Sequence, residues 1–375
     1  MEAVELPALT SLRGIAALTV VVYHSSFLAC NVAGGGPPFF WRRGYLAVDL
    51  FFFLSGFVLT HVYRGRLAHG RNWGRIGRFL WARFARIYPA SLFVTAIYVV
   101  CHCFGRLALA TGISFKTQLI AALTLTQVPW LRSIAINDPS WSISAEWYAY
   151  LIFPFAVPLI LRLDRRATAA LVAGLLAAAT VDQVIGGQQT SGWLALFRAL
   201  PEFFGGVLVY RAYRAGVCGA VWQEDATLLG VAATMIVAFW ADFPDGLIVL
   251  LLPALLLAAV SNKGRLRFFL DIAPLRWLGD ISYSLYIFQT VPFMVLTAIS
   301  PVLTAHGFDG VRFEALAALS ALAGGILVHR TVDLPARLAL RRLPDGVATV
   351  IARTVPSRFA PAATASSRIA MRRGS

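Results

Sequence analysis

Leu9-Thr-Ser-Leu-Arg13-Gly-Ile-Ala-Ala-Leu-Thr-Val-Val-Val-Tyr-His24 is an apolar run with two costly side chains inside it. Apart from Arg13 and His24 it has the composition of a membrane-crossing helix. The two are eleven residues apart, close to three turns at about 3.6 residues per turn, so they share a face. At about 1.5 Å per residue they stand roughly 16 Å apart along the axis, about half a bilayer core. Ionisable groups at membrane depth are functional candidates. The plainer roles are an Arg13 that snorkels to the interface and a His24 that packs one helix on another through a hydrogen bond.

Composition extends the membrane reading to the whole chain. Of 375 residues, 58% are hydrophobic and 14% charged, against roughly 25% charged in soluble domains. The net charge of +15 is read as loop arginine rather than as a nucleic-acid surface, because cytoplasmic loops collect Arg and Lys. Four cysteines, with Cys101-His102-Cys103 the densest group, make no disulfide framework, and no metal is expected. Runs long enough to cross a bilayer, about 17–25 residues, lie at 10–31, 44–63, 84–104, 144–161, 167–185, 193–210, 226–241, 245–261, 278–303 and 311–329. An eleventh run, 117–130, is short and Thr-rich. If it does not cross and the N-terminus is cytoplasmic, inner loops hold sixteen basic residues and outer loops six. If it crossed, every later basic loop would face outward, against the positive-inside bias. The expected fold is therefore an all-α integral membrane protein of ten spans over residues 1–335. Both termini are cytoplasmic and 105–140 forms an outer interfacial or re-entrant segment. Residues 336–375 are expected to be a basic, disordered tail, with Pro335 breaking the last helix.

Three further stretches carry chemistry. Gly44-Tyr-Leu-Ala-Val-Asp49-Leu-Phe-Phe-Phe-Leu-Ser-Gly-Phe57 places a carboxylate just inside the second span. Asp49 either pairs with an arginine or orients His24, as an acid does in hydrolase triads. The loop from Arg64 to Pro89 holds seven arginines and no acid, more than orientation requires. Arginine forks bind phosphate bidentately, and Arg75, Arg78, Arg83 and Arg86 recur at helical spacing. The third stretch, Asp138-Pro-Ser-Trp141-Ser142-Ile-Ser-Ala-Glu146-Trp-Tyr148, combines aromatics, hydroxyls and a carboxylate. It suits either an interfacial belt or a sugar-binding cleft. Span nine opens Gly279-Asp-Ile-Ser-Tyr283-Ser-Leu-Tyr286, rich enough in hydroxyls to face a cavity or another helix. In span six, Arg198 and Glu202 are four apart and can pair.

Five of these segments, in this order, resemble the acyltransferase family 3 membrane proteins. They are Leu-Arg13-Gly-Ile-Ala-Ala with His24, Gly44 to Phe57, Arg83-Phe-Ala-Arg86-Ile-Tyr-Pro89, Trp141-Ser-Ile-Ser-Ala-Glu146, and Gly279 to Tyr286. The resemblance covers about residues 5–340. It implies transfer of an acyl group, commonly acetyl from acetyl-CoA, to a hydroxyl of a sugar-containing acceptor, with key residues falling on Arg13, His24 and Glu146. Many members carry His where this chain has Gln289, so no acid–base role is given to that position. The expected catalytic set is His24, Arg13, Glu146 and Asp49. Arg75, Arg78, Arg83 and Arg86 are expected to hold the acyl-CoA phosphates. Trp141, Ser142, Tyr148 and Tyr283 are expected at the acceptor. No bound cofactor is expected. The partners are the lipid bilayer, acyl-CoA and a carbohydrate or glycolipid, in a bacterial inner membrane. His24 is either general base or acyl carrier. A transporter or flippase for an anionic lipid-linked sugar is the rival, since basic loops and intramembrane His and Asp suit it too. Consumption of the thioester separates the two.

Overall fold

The computed structural model describes residues 6–34, 41–67, 72–105, 112–185, 190–216, 219–308 and 310–342. Part of the expected outer segment (106–111) and the tail beyond 342 lie outside the described residues. Among the described residues every regular element is helical. In chain order these are α1 (Pro7–Ala33), α2 (Ala47–Leu67), α3 (Trp73–Cys103), α4 (Phe115–Thr124), α5 (Gln127–Trp130), α6 (Ser140–Ile160), α7 (Arg165–Ile185) and α8 (Gly192–Ala215). After them come α9 (Asp225–Trp240), α10 (Asp245–Val249), α11 (Leu252–Ser261), α12 (Leu266–Phe269), α13 (Ala273–Phe288), α14 (Thr290–Ala305) and α15 (Gly310–Val328).

Among the described residues six helices are long and apolar enough to cross a membrane, beginning at Pro7, Gly44, Trp73, Ser140, Gly192 and Gly310. A seventh span arises if α13 and α14, bent by 50° at their junction, are taken as one. Helices also occupy the three remaining expected windows, as α7, α9 and the α10–α11 pair, but the last two are short. Helix α4 has ten residues, about 15 Å of axis against a hydrocarbon core of about 30 Å. It is too short to cross alone.

Helix α1 is the hub. It lies along α13 and also packs on α15 and α2, while α2 packs on α8. Lipid is as apolar as leucine, so helices in a membrane associate through close van der Waals contact rather than hydrophobic driving force. Small residues permit that contact. A Cβ on Gly14 would stand 2.6 Å from the Gly279 nitrogen, and one on Gly279 would strike the Thr10 carbonyl. At the α2–α8 crossing, Gly56 and Gly206 meet the backbones of Phe203 and Phe53 in the same way. Ser11 reinforces α1 by donating to the Leu270 carbonyl at 2.6 Å.

Pro335 does not end the last helix. The chain continues helically to Arg342, after a π-helical turn at His329–Asp333. Proline lacks an N–H and clashes with the preceding turn. A one-residue widening just ahead of it takes up that misfit. The widened turn also carries the fully buried Asp333.

Candidate functional site

Between α1, α2, α3, α6 and α13 lies a cavity of about 590 Å³. It starts where α1 and α13 begin, at Leu6, Pro7 and Ala273, and reaches Ser142 and Tyr286. On α2 its lining runs from Val48 to Val62, about 21 Å of helix axis. Four arginines, Arg13, Arg83, Arg86 and Arg276, face two carboxylates, Glu146 and Asp280. Six predicted site residues meet here: Arg13, Arg83, Arg86, Ser142, Glu146 and Tyr283. His24, Asp49, Arg75, Arg78, Trp141 and Tyr148 do not line it.

The cavity arginines differ in how they are held. Arg86 bonds Asp333 at 3.1 Å and lies over the Tyr283 ring at 4.9 Å. Tyr283 in turn donates its hydroxyl to the Ile87 carbonyl. Asp333 also accepts from Ser284 at 3.1 Å. Arg83 lies over the Tyr63 ring at 5.5 Å and reaches the Tyr63 hydroxyl at 3.4 Å. Arg13 reaches the Gly279 carbonyl at 3.4 Å. Contacts of that length are weak. The Nε atoms of both Arg13 and Arg83 are buried without a hydrogen-bond partner among the described residues. Arg83 and Arg86 come from the first half of α3, whose N-cap is the Asn72 side chain accepting from the Arg75 N–H at 3.0 Å. Glu146, nearly two turns into α6, is gripped by the hydroxyls of Ser55 on α2 and Tyr150 on its own helix.

The remaining predicted residues sit elsewhere. Asp49 forms a bidentate pair with Arg198 of α8, at 2.7 and 2.8 Å, with both side chains buried. Arg198 also lies over the rings of Trp141, 5.3 Å away, and Tyr45, 5.9 Å away. Trp141 is 4% exposed, so it packs the ion pair. Tyr148 accepts from the Trp130 indole at 3.2 Å. Arg75 donates to the Arg66 carbonyl at 3.3 Å and lines a separate, smaller cleft with Arg66 and Arg162. Arg78 is exposed. His24 lies farther along α1, its Nδ1 3.3 Å from Gln289 Oε1. Gln289 is three residues beyond Tyr286, which lines the cavity, so one helical turn joins the cavity to the imidazole's partner.

Sequence reasoning assigned no role to Ser55, Tyr150, Asp333 or Gln289. Each partners a predicted site residue from a distance of 4 to 265 positions. Only the Tyr150–Glu146 spacing of four is visible in sequence.

A family model described as an acyltransferase domain matches residues 6–330. The acyltransferase MdmB of Streptomyces mycarofaciens is 31% identical, with 92% of this chain and 95% of that protein aligned. The peptidoglycan O-acetyltransferase OatA of Listeria monocytogenes is 23% identical over 79% of this chain and 50% of its own length. Protein 2 in the picA locus of Rhizobium radiobacter is 36% identical over 37% of this chain and 75% of its own. No solved structure matches.

Proposed function

The chain belongs to the acyltransferase family whose domain model spans residues 6–330, and from that membership we propose that it moves an acyl group, acetyl in the simplest case, from acyl-CoA to a hydroxyl of a sugar-containing acceptor. The observation that carries the donor half is the cavity itself. Two of its guanidinium groups, those of Arg13 and Arg83, have buried Nε atoms without a partner among the described residues. A buried cation left short of acceptors is unfavourable unless a ligand supplies them. Phosphate oxygens match the guanidinium fork. In this reading Arg13, Arg83, Arg86 and Arg276 hold the phosphates, and the thioester arm extends along α2 toward Tyr286. Arg75 and Arg78 lie outside this cavity and take no direct part in it.

His24 acts on the acyl group from beyond Tyr286. As general base it takes the proton of the acceptor hydroxyl while that oxygen bonds to the acyl carbon. The C–S bond then breaks and the thiolate leaves with the donor. As acyl carrier, His24 first forms an N-acyl bond with loss of the thiolate, and the hydroxyl then displaces the imidazole. Glu146, fixed by Ser55 and Tyr150, balances the arginines and orients the reacting thioester. Ser142 and Tyr283 line the path, and Tyr148 stands toward the acceptor side. Asp49, bound to Arg198, anchors α2 to α8 instead of touching the reactants. Ten spans with both termini inside, in a bacterial inner membrane, would put the arginines on the side of the cytoplasmic donor. The test is acyl-CoA binding and thioester consumption by purified protein. Wild type should bind a non-hydrolysable acyl-CoA, and Arg13→Ala with Arg83→Ala should lose that binding. Thioester consumption that does not depend on a hydroxyl acceptor would overturn the acceptor half. Intact affinity in the double variant would overturn the donor half.

A further inference from the structure

We propose that Gln289 is a positioning residue that fixes the tautomer of His24, holding the proton on Nδ1 and presenting the Nε2 lone pair to the acceptor hydroxyl. The argument starts from a break in the helical ladder. Helix α13 stops at Phe288 and α14 resumes at Thr290, with a 50° bend between them. A bend of this size frees carbonyls that would otherwise accept within the helix. Two of them are taken by side-chain amides. Gln289 Nε2 donates to the Tyr286 carbonyl at 3.0 Å, and Asn137 Nδ2 donates to the Ile287 carbonyl at 3.1 Å. Thr290 completes the stitch by donating its hydroxyl to Asn137 Oδ1 at 2.8 Å.

A backbone carbonyl only accepts. The end of the Gln289 side chain that faces Tyr286 must therefore be its NH₂, and the opposite end, facing His24 Nδ1 at 3.3 Å, must be its oxygen. An amide oxygen also only accepts, so Nδ1 must carry the hydrogen. A neutral imidazole has one N–H, which leaves Nε2 as the basic atom. Gln289 is 0% exposed, so water cannot take over either contact. Flipping the amide would set its oxygen against the Tyr286 carbonyl and leave a buried acceptor unpaired. The amide that sets the tautomer comes from 265 positions away in sequence, and the Val20 carbonyl, one turn back on α1, is a second acceptor at the ring. Tyr286 supplies the carbonyl that sets the amide, and its side chain lines the donor cavity. One turn of α13 therefore touches both halves of the reaction.

The catalytic part of this inference rests on His24 handling the acceptor proton. The tautomer itself does not. The test is ¹⁵N NMR of the full-length purified protein with labelled histidine, the His24 signal being assigned by its loss in His24→Gln. Wild type should show the Nδ1-protonated form. Gln289→Met, similar in size but without an acceptor, should lose that preference and about 10–100-fold in kcat, with the acyl-CoA KM unchanged. Gln289→Glu keeps an acceptor, so it should keep the tautomer. It should also move the rising limb of the pH–rate profile to higher pH, because a carboxylate beside the ring favours its protonated form. That movement reports that position 289 faces a titrating imidazole, and this variant keeps the idea testable if Gln289→Met fails to fold. Nε2 protonation in wild type, or an unchanged tautomer and pH profile in both variants, would sink the proposal. If His24→Gln turned over normally, the positioning role would fall with the catalytic reading even though the tautomer stood. If His24→Gln were dead while the Gln289 variants behaved like wild type, only this inference would fall.

Discussion

Arg13, Arg83 and His24 are the residues whose chemistry can be separated by single substitutions. A guanidinium lost from a buried phosphate contact costs about 2–5 kcal/mol when the partner stays buried, and less where water can enter. Arg83→Ala should therefore weaken acyl-CoA binding by at least tenfold, measured by isothermal titration, and leave acceptor affinity nearly unchanged. Arg78, exposed and outside the cavity, is the control; Arg78→Ala should bind donor as wild type does. An equal loss in both variants would mean that the whole loop acts by charge alone. His24→Gln keeps hydrogen-bonding capacity without a base and should lower turnover by about 10²–10⁴-fold. The melting temperature should hardly move. Substantial activity in the folded variant would pass the chemistry to Glu146.

At the scale of elements, the bundle is held at crossings where backbones touch and by the buried Asp49–Arg198 ion pair. Asp49 and Arg198 are 0% and 3% exposed, and Trp141 and Tyr45 wall them in. Removing one partner strands a charge, which costs about 3–5 kcal/mol. Asp49→Leu should lower thermal stability sharply, and adding Arg198→Leu should restore part of it, because neither charge of the pair is then left without the other. If the double variant were the less stable, the pair would contribute net attraction beyond neutralising itself. The α1–α13 crossing has no such remedy. A side chain on Gly279 meets the Thr10 backbone, not a movable tip. Gly279→Val should force α1 and α13 apart and cost about 1–3 kcal/mol or more. It should also abolish activity, because the same two helices bring His24 to Gln289.

For the whole molecule, the arrangement to be tested is sidedness. The cavity runs along most of α2, past the middle of α3 and along α13, and one of its ends lies where α1 and α13 begin. If that end is cytoplasmic, a donor from inside and an acceptor from outside approach His24 from opposite directions. Single-cysteine labelling with an impermeant reagent in sealed cells decides it. A cysteine in place of Lys116 should react and one in place of Arg165 should not. Reaction at Arg165 would invert every helix after α6 and place the basic loops outside. Among the described residues six helices are long and apolar enough to cross. The ten-span arrangement also requires α7, α9, the α10–α11 pair and the bent α13–α14 unit to cross.

Sequence alone determined the membrane class, the helical periodicity and the order of the segments, and it singled out Arg13, His24, Glu146 and the α3 arginines as candidates. Those properties are local: an apolar run of sufficient length must be helical in lipid, because no water satisfies its backbone. Sequence left open whether Asp49 serves His24 or an arginine, and only the packing of α2 on α8 decided for Arg198. It placed four arginines in one donor site, whereas the helix register divides them, turning Arg83 and Arg86 into the cavity and leaving Arg75 and Arg78 outside. It gave Gln289 no role, because a glutamine is informative only through what its two ends touch. Those partners, the Tyr286 carbonyl and the His24 ring, are joined by a helix break and a close glycine-mediated crossing. Such contacts depend on distances between segments far apart in the chain, and no local pattern of residues encodes them.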